Sequence, residues 1–125
     1  MVSVAFDEER AYDDDRFSAR EAFANDRLKV VLGYFEPGQF IPVHAPASDV
    51  VVGVQRGRGT VRDVDVDRTV VPGDVVVVPA GEDRGVRAGD ERLEVLLVVA
   101  PPPDDAAHEP VRRGLAEGTF EPDRS

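Results

Sequence analysis

Two histidines, His44 and His108, are the only side chains in this sequence whose ordinary titration falls near neutral pH. An imidazole there can donate, accept or move a proton, or ligate a metal. No cysteine accompanies them, which removes a disulfide scaffold, a thiolate metal site and a cysteine nucleophile together. Asp49 precedes a valine run and reads as a turn residue opening a strand rather than as a base. Tyr12 and Tyr34 read as packing residues at amphipathic edges. His108 lies in a tail rich in Pro and Asp and reads as solvent-exposed.

The elements that would position these groups are short β-branched runs cut by Gly and Pro. The runs are 28–35, 39–43, 50–55, 60–62, 69–71, 75–78, 85–87 and 93–99. Turn segments such as Glu36-Pro37-Gly38, Pro72-Gly73-Asp74 and Ala88-Gly89-Asp90 separate them. Many short strands with no helical pattern between them predict an all-β sandwich or barrel. At 125 residues there is room for one domain. The barrel is expected over about 27–100, with an N-terminal arm 1–26 that could be an edge strand and a C-terminal tail 101–125. Pro101-Pro102-Pro103 ends the sheet, and the tail could form one helical turn opened by Pro110 and weakened by Gly114.

Spacing then ties His44 to a known pattern. Gly38 is followed by five residues and His44, and a further glycine falls at Gly57. Gly73 is followed by five residues, then Pro79, Ala80 and Gly81. These two segments resemble the paired signatures of the cupin superfamily, which implies a double-stranded β-barrel, or jelly roll. The resemblance covers about residues 28–100 and holds at the turns. It fails at most of the ligands. The family's second histidine position is Pro46, its glutamate position Val50, its motif-two histidine position Arg84 and its asparagine position Ala88. A facial metal site needs two imidazoles and a carboxylate. One histidine with an arginine does not supply them, so no metal and no other cofactor are expected.

The resemblance points His44 inward, and strand parity then puts Val50, Val52 and Val54 inside, with Val86 beside Arg84. A valine-lined mouth with one imidazole and one guanidinium suits a small, anionic or amphipathic ligand. Three function classes follow: a binding or sensing module using Arg84 and His44, a metal-independent isomerase or epimerase with His44 as acid–base, or a dioxygenase with displaced ligands. The first is preferred. Twenty-five acidic residues face fifteen basic ones, a formal net charge of −10, which opposes nucleic-acid binding. The spread of acidity is of the kind a salty cytoplasm screens. No apolar run is long enough to cross a bilayer, and the N-terminus has no apolar signal-like core. A soluble cytoplasmic homodimer is expected, with the arm before Leu28 as an exchanged strand covering an open sheet edge.

Overall fold

The computed structural model describes residues 1–121. A single helical turn, α1 (Phe6–Glu9), precedes β1 (Ser18–Ala24), β2 (Lys29–Phe35), β3 (Phe40–His44), β4 (Asp49–Arg56) and β5 (Gly59–Asp63). Then come β6 (Val66–Val70), β7 (Val75–Val78), β8 (Arg84–Ala88) and β9 (Leu93–Ala100). A 3₁₀ turn, Asp105–His108, leads into α2 (Glu109–Glu117).

The strands form two antiparallel sheets. One runs β1-β2-β9-β4-β7 and the other β3-β8-β5-β6. Their facing sides make the core, from Phe35, Val54, Val61, Val78, Leu93 and Val95 among others. Parity resolves even the four-valine run of β7: Val76 and Val78 are buried, whereas Val75 and Val77 are 64% and 58% exposed. Gly57 closes the β4–β5 turn at φ 82°, and a Cβ there would stand 1.8 Å from the Arg92 carbonyl oxygen. Only glycine fits that turn.

The arm divides in two. Its second half is the edge strand β1, paired with β2 of its own chain, so the barrel sheet begins at Ser18 rather than near residue 27. Its first half lies across the outer face of β2 and β9. There Tyr34 donates to the Phe6 carbonyl at 2.8 Å and stacks edge-on with Phe6 and Tyr12.

The tail is also more ordered than its prolines suggest. Asp104 caps the 3₁₀ turn through the Ala107 N–H, and α2 runs nine residues, not one turn, with Pro110 in its first turn. Gly114 is buried within it, and Leu115 beside it packs on the core. The segment is tied at both ends. Ser48 donates to the Pro101 carbonyl at 2.7 Å, and the Val43 N–H donates to the Phe120 carbonyl at 2.7 Å. Phe120 packs on Phe40 and under Arg87, and Arg62 forks onto Glu121.

Candidate functional site

His44 ends β3 and Arg84 begins β8, and the two are direct register partners across the strands. Same-face residues so paired hold their Cβ atoms about 5 Å apart. Both line a cavity of about 160 Å³ at one end of the barrel. Val50, Val52 and Val86 line it too, as does Pro46. Val54 shares their parity but sits deeper, in the packed core, away from the cavity wall. Asp49 lies on the outside, where its carboxylate accepts from the Ala80 N–H at 2.8 Å and steadies the turn after β7.

Among the lining residues that were not expected are Phe17, just before β1, and Lys29, the first residue of β2. Lys29 was legible from parity, since it alternates with Val31 and Phe35 on the inward face. Its ammonium is 3.8 Å from Glu21. His108 is a correction. It is half-buried and lines the cavity mouth with Pro103, Ala107 and Val111, because the tail folds back over the barrel end.

The polar groups are held by backbone carbonyls. His44 Nδ1 is 2.9 Å from the Pro42 carbonyl oxygen. A carbonyl only accepts, so Nδ1 carries the proton and Nε2 is the accepting nitrogen of the neutral ring. Arg84 is only 6% exposed. Its Nη2 donates to the carbonyls of Pro79 at 2.9 Å and Glu82 at 3.2 Å, and its Nε to Glu82 at 3.3 Å. Nη1 is buried without any acceptor. Burial holds the guanidinium below the ordinary arginine range, and the charges of Asp49 and Asp83 work against that shift. Arg84 therefore does not swing to the rim to pair with an acidic side chain; it takes the backbone oxygen of Glu82 and stays inside.

The donor set does not fit a metal. Among the described residues no three His, Cys, Asp or Glu side chains cluster as a site would require. The cavity wall carries two imidazoles, an ammonium and a guanidinium, and no carboxylate to balance an added cation.

Solved structures share this architecture. An RmlC-like cupin protein from Desulfovibrio desulfuricans is 31% identical, with 82% of this chain matched to 98% of that one at a TM-score of 0.73. This chain belongs to the cupin superfamily. TT1209 from Thermus thermophilus is similar at 28% identity over 82% of this chain and 100% of that one, with a TM-score of 0.79. KdgF from Halomonas sp. shares the fold at 22% identity over 85% and 99% of the two chains, with a TM-score of 0.71. No family model and no curated protein matches. No helix among the described residues is long and apolar enough to cross a membrane. In this cupin the positions that correspond to ligands in the resembling motif, His44, Pro46, Val50 and Arg84, do converge on one cavity. Ala88, at the asparagine position, is buried in the core instead.

Proposed function

We propose that this cupin binds a small organic anion in the barrel cavity through Arg84 and His44, without a resident metal. One observation carries the reading. In a chain of net charge −10, every ionisable side chain lining the cavity is basic: Lys29, His44, Arg84 and His108. A concave, valine-walled site of one charge sign concentrates ligands of the other. The orphaned Arg84 Nη1 adds a reason, since a buried N–H without an acceptor costs free energy that an oxygen brought within its reach would recover.

Thermal unfolding in the presence of small carboxylates and phosphate tests this. An anion at a hundredfold excess over its Kd should stabilise the wild type by about 2.7 kcal/mol, and Arg84→Ala should abolish the response. No response in wild type, or an undiminished one in Arg84→Ala, sinks the proposal. A stoichiometric transition metal in purified protein, lost in His44→Ala, would do so as well.

A second reading has its own support. Pro42 supplies the orienting carbonyl that an acid–base histidine requires, so a metal-independent isomerase or epimerase using His44 is the alternative. Turnover of an anionic substrate that vanishes in His44→Gln while binding persists would select it.

A further inference from the structure

The cavity's size, walls and spent donors narrow the ligand further. Its volume of about 160 Å³ is small for a metabolite site. An apolar protein cavity of about 150 Å³ holds one benzene molecule, so the body that fits here has about six carbons. The walls are Val31, Val50, Val52, Val61, Val86 and Leu97, which offer that body no hydrogen bonds through their side chains. Polar capacity is densest on one side, where Arg84 and His44 pair across β8 and β3; Lys29 stands on the facing sheet and His108 on the tail. Arg84 has already committed Nη2 and Nε to the Pro79 and Glu82 carbonyls, which leaves Nη1 as its unmet donor. Lys29 is partly neutralised by Glu21. His44 stands directly across the strands from Arg84, within the span of one planar anion.

From these features we infer that the ligand is a monocarboxylate with a compact apolar body of about six carbons, its carboxylate on the Arg84–His44 side and its body against the valines. The inference rests on the anion reading above and adds head group and size. A phosphate dianion brings more acceptor oxygens than this side can satisfy, and the remainder would be desolvated against valine. A dicarboxylate too short to reach Lys29 or His108 from Arg84 places its second charge against the valines at the same kind of cost. Acetate satisfies the donors but leaves the walls unfilled.

Isothermal titration of the full-length protein with benzoate, 3-methylbutanoate, acetate, phosphate, succinate and neutral benzamide reads each part separately. Benzoate and 3-methylbutanoate should bind at least about tenfold more tightly than acetate, phosphate or succinate, as burial of several carbons requires. Arg84→Met should weaken benzoate by at least about tenfold and erase its advantage over benzamide. Val99→Phe, at a half-buried lining position, should fill the cavity and lose benzoate while keeping acetate; circular dichroism confirms its fold. Phosphate or succinate binding as tightly as benzoate, with dependence on Arg84, would overturn this inference and leave the anion reading standing. Benzamide binding as tightly as benzoate, or no anion binding at all, would overturn both.

Discussion

Two buried charges sit on opposite faces of this barrel, and they are treated in opposite ways. Glu94 lies on the outer face of β9 and is 1% exposed. Arg10 grips it with two hydrogen bonds, at 2.5 and 3.1 Å; Tyr12 donates to it, and Arg56 reaches it at 3.4 Å. Arg84, on the inner side, gives its hydrogen bonds to carbonyl oxygens and keeps Nη1 without a partner. A buried charge whose partners are complete works as a clasp, here holding the N-terminal arm on the sheet. A buried charge left incomplete beside a cavity is what the proposed anion site would use. The same chain thus separates a structural ion cluster from a candidate site by degree of satisfaction, with burial nearly equal.

Substitutions should split the two sharply. Glu94→Ala strands Arg10, Tyr12 and Arg56 around an emptied position and releases the arm. A loss of about 3 kcal/mol is expected in urea unfolding, with residues 1–15 becoming protease-sensitive. An effect below about 1 kcal/mol would break the contrast.

The next effect in size is the pH dependence of the clasp. Burial raises the Glu94 pKa, but the hydrogen bonds from Arg10 and Tyr12 outweigh it and hold the carboxyl below its ordinary value. Its contribution is therefore present above the usual glutamate range and is lost as pH falls through the lowered folded value. Tyr12 behaves oppositely: burial first, then the bond to Glu94, push its phenol from 10.0 up to about 12. That contribution is complete below pH 10 and fades as pH rises toward about 12. Glu94→Gln should flatten the acid limb and Tyr12→Phe the alkaline one. Wild-type limbs in either variant would contradict the assignment.

Arg84→Met should behave quite differently. Without ligand it should cost less than about 1 kcal/mol or even stabilise, since it removes a charge held in an apolar setting and an unmet donor. A loss as large as that of Glu94→Ala would make Arg84 a structural residue too. The smallest effect concerns neither face alone. Acidic groups spread along the chain should make stability rise from dilute buffer to molar KCl, as the screening length falls from about 30 to about 3 Å. Melting temperatures that do not change with salt would remove that role from the charge shell.

Much of the inner face was legible in the sequence, because Gly and Pro punctuate nearly every strand and parity orients the residues between them. Gly38, Gly57, Gly73 and Gly81 all adopt positive φ in turns at or beside the strand ends. β1 was harder to read. Arg20 and Glu21 make it look polar, and a register shift between Glu21 and Phe23 breaks its alternation. The Glu94 clasp escaped notice because its partners are 84 and 82 residues away, and a single Glu in an apolar run carries no local sign of them. His108 escaped for a related reason. Capping by Asp104 and the position of Pro110 mark a helix, but where that helix docks depends on Phe120 meeting β3 and β8. The carbonyl partners of His44 and Arg84 depend on turn geometry, which residue type alone does not record.

A crystal structure of the protein grown with excess benzoate would test the central claim most directly. The account predicts a carboxylate within hydrogen-bonding distance of Arg84 and His44, with the ring against Val50, Val52 and Val86 and the tail closed over it. A metal ion bound to His44 and His108, or Arg84 turned out of the cavity onto an acidic side chain at the rim, would contradict it.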